Sequence, residues 1–120
     1  EDNFIKVAFP DGREGFISST EGKEYKVWLS ELNPTENAVI SKAFTFLGVP
    51  YLWGGTSAKG VDCSGFTKTV FYLNGLILPR DASQQVHTGE LVDTESGFEN
   101  LQPGDLLFTG PQQNLALVER

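Results

Sequence analysis

Residues 59–66 read Lys59-Gly60-Val61-Asp62-Cys63-Ser64-Gly65-Phe66, and the reading of this stretch decides how the chain is built. Ahead of it lies a glycine-rich loop, Tyr51-Leu52-Trp53-Gly54-Gly55-Thr56. Behind it Phe66, Val70, Phe71 and Leu73 form the apolar side of a helix that Asn74-Gly75 closes. Cys63 therefore stands where a loop becomes a helix. Helix N-termini carry partial positive charge and unsatisfied N–H groups, which favour a thiolate and offer donors to an oxyanion. The glycines let an extended substrate approach the backbone. Cys63 is the one cysteine of the chain. It has no intrachain disulfide partner, and with a single histidine it makes no structural zinc site. A lone cysteine is either a small buried hydrophobe or a reactive thiol, and position alone leaves both readings open.

Working outward, Asn33-Pro34-Thr35 marks a break before an amphipathic helix from Glu36, with Val39, Ile40, Ala43, Phe44 and Leu47 on one stripe, Gly48 as its end and Pro50 just beyond. Residues 4–9 and 14–18 have strand character around the turn Pro10-Asp11-Gly12-Arg13, so a β-hairpin is expected. Residues 25–29 are expected as a further short strand, which makes the first 30 residues all-β. Beyond Pro79 a Gln-rich helical segment is expected over 83–88, then an acidic loop over 89–100. Strands are expected at 106–108 and 115–118. Segregated strands and helices indicate an α+β fold.

Four motifs occur in order: Pro50-Tyr51-x-Trp53-Gly54-Gly55, Asp62-Cys63-Ser64-Gly65-Phe66, Leu78-Pro79-Arg80-Asp81-Ala82-Ser83-Gln84-Gln85, and Leu101-x-Pro103-Gly104-Asp105-Leu106-Leu107-Phe108. Together they resemble the NlpC/p60 family of papain-like cysteine peptidases that cut bacterial peptidoglycan, and the resemblance covers roughly residues 35–110. It implies a papain-like fold with helices packed on an antiparallel sheet, and a domain over 33–120. Residues 1–32 resemble the end of a bacterial SH3-like barrel, which precedes the catalytic domain in a subgroup that cleaves γ-D-glutamyl-diaminoacid bonds. The other reading is a hairpin that decorates the catalytic domain.

The resemblance assigns roles. Cys63 matches the nucleophile. Tyr51 matches a tyrosine that orients the reacting group, or else packs. Trp53 is a wall of the cleft or a core residue. Asp62, Ser64, Asp81 and Ser83 match residues that line a pocket for the free N-terminal amine of L-Ala, since a carboxylate pairs with a desolvated ammonium. Their alternative roles are loop capping for Asp62 and an N-cap for Asp81 or Ser83. Arg80 reads first as half of a structural ion pair.

A thiol hydrolase needs a base. The resemblance places a histidine on a strand after Pro103-Gly104-Asp105, where this chain has Asn114 in Asn114-Leu115-Ala116-Leu117-Val118. Asn has no titratable nitrogen. The only histidine, His87, falls in the Gln-rich segment and reads as a surface residue. A chain cut short at its C-terminus, or gapped near Gly110, is expected ahead of a degenerate copy, and the chain as written is expected to be inactive.

The formal net charge of −7 argues against nucleic acid and against an anionic membrane surface. No run approaches the ~20 apolar residues of a membrane span, and no signal peptide opens the chain. The implied substrates are peptidoglycan stem peptides with a free N-terminal L-Ala, handled in the cell envelope without metal or cofactor. The reading from a different class is an inactive module that binds these peptides.

Overall fold

Strand character on either side of Pro10–Arg13 yields β1 (Phe4–Ala8) and β2 (Glu14–Ser18), paired antiparallel with Phe4 opposite Ser18 and Ala8 opposite Glu14. Asp11 fixes the turn between them, its carboxylate accepting from Arg13 Nε at 2.7 Å. The computed structural model describes residues 3–109 together with Leu115–Ala116, and it divides into two units, Glu1–Leu32 and Asn33–Arg120.

The first unit does not stay all-β. Residues expected as a third strand form helix α1 (Tyr25–Glu31). Tyr25, Trp28, Leu29 and Leu32 repeat at three and four residues, a helical period, and Trp28 breaks the competing alternation of Tyr25, Val27 and Leu29. The Tyr25 and Trp28 rings lie 5.8 Å apart one turn on, and Lys23 pairs with Glu31.

The second unit is organised by two helices. In α2 (Glu36–Phe44) the Thr35 hydroxyl accepts from Ala38 N–H at 3.2 Å, a side-chain N-cap. Further tight turns run to Gly48, whose φ of 86° no β-carbon-bearing residue adopts cheaply. In α3 (Cys63–Tyr72) the buried face carries Val70 and Phe71, which meet Val39 of α2 and Leu78 in the core. Phe46 and Phe66 close its edge with rings at 76° and 5.9 Å.

The glycine-rich loop holds a small ladder that the sequence did not announce: β3 (Thr56–Ser57) pairs antiparallel with β4 (Gly60–Val61). Two-residue strands are too short to leave an alternating pattern. The Gln-rich helix is shorter than expected, α4 (Ala82–Gln85), and gives way to tight turns at His87 and Thr88. There the Thr88 hydroxyl donates to the Gln85 carbonyl at 2.6 Å, competing with a continued helix. Finally β5 (Leu106–Leu107) pairs antiparallel with β6 (Leu115–Ala116). Phe108 falls beyond β5, and Gly110, Asn114, Leu117 and Val118 lie outside the described residues. Helices with short antiparallel pairs make the fold α+β. No helix among the described residues is long and apolar enough to cross a membrane.

The loop glycines serve the chain's own packing. A β-carbon on Gly65 would lie 2.1 Å from the Gly55 carbonyl oxygen and 2.9 Å from Asp62 Oδ1. Gly65→Ala must therefore push α3 off the loop, at a cost of about 1–3 kcal/mol or more. For a unit of this size each kcal/mol lowers the melting temperature by roughly 4–8 °C. Thermal unfolding of the variant checks this, and an unchanged midpoint would contradict the packing described.

Candidate active site

Cys63 is the first residue of α3 and is exposed. Asp62 precedes it as N-cap, accepting at Oδ1 from Gly65 N–H at 2.7 Å. The same carboxylate accepts from Gly54 N–H at Oδ2 (2.8 Å) and takes Arg80 through Nη2 to Oδ2 (2.5 Å) and Nη1 to Oδ1 (3.1 Å). Ser64 Oγ donates to Oδ1 at 3.4 Å and accepts from Arg80 Nη1 at 2.9 Å. Asp62, only 7% exposed, is thus enclosed by donors. The Arg80 hydrogen bonds foremost, then Gly65 N–H, hold its carboxyl far below the usual carboxylate range, and burial opposes them less strongly.

The segment after α3 is fastened back onto it. Leu78 is buried, and its carbonyl accepts from Lys68 Nζ at 2.8 Å. Gln85, at 2% exposed the most enclosed large side chain described, donates from Nε2 to the carbonyls of Ser64 (3.0 Å) and Pro79 (2.9 Å). Gly65 N–H goes to Asp62, but among the described residues no acceptor takes the N–H of Cys63 or of Ser64. Two free donors therefore sit beside the thiol.

A pocket of about 160 Å³ opens at Cys63, bordered by Ser64 and Thr67 of α3, Ala82 and Gln85 of α4, and residues 107–109. Sites that engulf a small molecule are usually about 300–1,000 Å³. This one takes a single residue or a reacting amide, with the rest of a ligand outside it.

Tyr51 and Trp53 are not among the residues that border this pocket; they are 66% and 87% exposed. Nor does Trp53 pack in the core. The cause is local: Leu52 N–H bonds to the Val61 carbonyl and Val61 N–H to the Pro50 carbonyl, tying the backbone inward and leaving the rings at the surface. Asp81 holds the N-cap position of α4 without a side-chain cap, and Ser83, expected as a possible cap, lies inside α4; both are exposed. Arg80 is the ion-pair partner the sequence suggested, its partner being Asp62. His87 is exposed and borders no part of the pocket. Thr67, Gln85, Leu107 and Phe108 were not singled out as site residues. Gln85 had a signal, a polar residue within a helical segment that faces inward. No cluster of three metal-ligating side chains occurs among the described residues.

An exposed thiol on the first turn of a helix packed against short antiparallel strands is the arrangement of a papain-like thiol fold. Residues 48–118 match the NlpC/P60 family, and the chain belongs to it. It is 37% identical over 113 residues to a γ-D-glutamyl-L-lysine dipeptidyl-peptidase of Bacillus cereus, covering 94% of this chain and 33% of that one. It is 38% identical over 108 residues to the protein so named in Bacillus subtilis, covering 90% and 33%. A crystal structure of an NlpC/P60 family protein from Bacillus cereus superposes with a TM-score of 0.76 at 34% identity, over 98% of this chain and 38% of that one. The NlpC/p60 domain of the peptidoglycan hydrolase SagA gives 0.57 at 31% identity, over 69% and 73%. The chain thus spans about a third of the length of the two curated relatives.

The enclosed carboxylate gives a pH signature. Because its folded-state pKa is depressed, Asp62 stabilises the fold wherever the unfolded carboxyl is ionised, above about pH 4, and that contribution fades as pH falls further. Asp62→Asn is expected to unfold at lower denaturant than the parent at pH 7, and the gap is expected to narrow below pH 4. Equilibrium denaturation at several pH values measures it.

Proposed function

We propose that the chain carries the nucleophile of a cysteine peptidase that hydrolyses the amide between γ-D-glutamate and a diamino acid in peptidoglycan stem peptides. The observation that carries the reading is Cys63 itself: an exposed thiol, first residue of α3, opening on a pocket, with the free N–H groups of Cys63 and Ser64 beside it. The names of the Bacillus relatives supply the bond.

In this mechanism the Cys63 thiolate attacks the γ-glutamyl carbonyl, and the two N–H groups receive the oxyanion. The proton that a general base takes from the Cys63 thiol goes to the leaving nitrogen, so collapse expels the diamino acid as its neutral amine and leaves a thioester, which water hydrolyses. The side chains of Asp62 and Ser64 hold the turn rather than touch substrate, because their polar atoms are committed to Arg80, Gly54, Gly65 and each other. Amine recognition then falls to Asp81 and Ser83, exposed at and just inside the start of α4. Tyr51 and Trp53 offer stacking surface for the part of the ligand outside the pocket. The first unit acts as an SH3-like accessory, and the protein works in the cell envelope without metal or cofactor. A binding module is the second reading, favoured by one observation: no histidine borders the pocket among its described lining.

In the full-length protein, Cys63→Ser is expected to reduce cleavage of L-Ala-γ-D-Glu-diaminopimelate by several orders of magnitude, since a serine hydroxyl stays protonated without a stronger base. His87→Ala is expected to leave turnover within about twofold, whereas loss of a true general base costs roughly 10²–10⁴. Amine release followed by chromatography tests both. N-acetylating the L-Ala is expected to slow cleavage, and equal rates for free and acetylated peptide would remove the amine-binding roles of Asp81 and Ser83.

A further inference from the structure

Gln85 is fixed at one end and free at the other. Its Nε2 donates to two carbonyls, of Ser64 and of Pro79. Only the amide nitrogen can serve two such acceptors, so the orientation of the carboxamide is settled and Oε1 is directed away from them. Among the described residues Oε1 has no hydrogen-bond partner. It is also absent from the sealed atoms: Asp105 Oδ1 is the buried unpartnered side-chain oxygen among the described residues. Gln85 is 2% exposed, and the open space it borders with Cys63 is the pocket.

We infer that Gln85 is a further substrate-binding residue: its carboxamide oxygen accepts an amide N–H of the peptide that enters the Cys63 pocket. The inference rests on the proposed function and extends it. A neutral donor is the fitting ligand. The described lining holds Ala82, Leu107 and Phe108 and no charged side chain. An ammonium there would lose its water for one neutral acceptor, whereas an amide N–H exchanges one hydrogen bond for another. The site is prebuilt, because the two carbonyls hold the acceptor in place before substrate arrives, so little rotamer entropy is lost on binding.

The test uses alkylation of Cys63 in the full-length protein and needs no hydrolysis. The probes are 2-iodo-N-methylacetamide, which has an amide N–H, and 2-iodo-N,N-dimethylacetamide, which has none. Their rate ratio on a free-cysteine peptide is the reference. The wild-type ratio is expected to exceed the reference by roughly threefold to tenfold, the range of one ordinary hydrogen bond. Gln85→Met, of similar length, is expected to return the ratio to the reference. A wild-type ratio equal to the reference overturns the inference, and so does an excess that survives in Gln85→Met, which would be steric. If Gln85→Met does not fold, the wild-type ratio decides. Alkylation that shows the excess without peptide hydrolysis would overturn the proposed function and leave the acceptor role standing.

Discussion

The Asp62 carboxylate is the constraint on which the site depends. It caps α3, grips the loop at Gly54, and takes both terminal nitrogens of Arg80. Donors 3, 8 and 18 positions away meet on two oxygen atoms. A carboxylate enclosed in this way is costly unless every lone pair is used, and here the donors converge on both oxygens. The consequence falls on the next residue: with residue 62 immobilised, Cys63 has one place to be, on the first turn of α3, facing the pocket.

Close approach of backbone supports the same clamp. Gly55 and Gly65 touch with no room for a β-carbon between them, and Thr69 Oγ1 reaches the Thr56 carbonyl at 3.3 Å. From the other side Lys68 and Gln85 fasten the 78–85 segment to α3. The apolar core of Val39, Val70, Phe71 and Leu78 supplies the non-directional part of the stability, and the polar ties supply register. The thiol is thereby presented on rigid elements, as precise acyl transfer requires.

Much of this was legible in the sequence, for identifiable reasons. Apolar period marked α2 and α3, and turn chemistry marked the first hairpin. The ordered motifs around Cys63 led to the family. The failures are physical too. Residues 25–29 carry aromatic and β-branched side chains that suit strands, yet their spacing is helical and the spacing won. The β3–β4 ladder is too short for periodicity to register. For Asp62 the sequence offered both an amine-facing and a loop-capping role, and it does not show that the Arg80 guanidinium folds back across 18 positions to meet this carboxylate. The exposure of Tyr51 and Trp53 was not legible either, since it accompanies backbone bonds of the 50–52 segment to Val61 that leave no sequence pattern.

The central claim is that Cys63 forms a thioester with the γ-glutamyl group. The direct measurement is rapid acid quench of the full-length protein during turnover of L-Ala-γ-D-Glu-diaminopimelate, followed by peptide mass spectrometry. The account predicts an L-Ala-γ-D-Glu adduct on the peptide that contains Cys63, labile to hydroxylamine. Steady hydrolysis with Cys63 unmodified at every quench time, and unimpaired in Cys63→Ala, would contradict it.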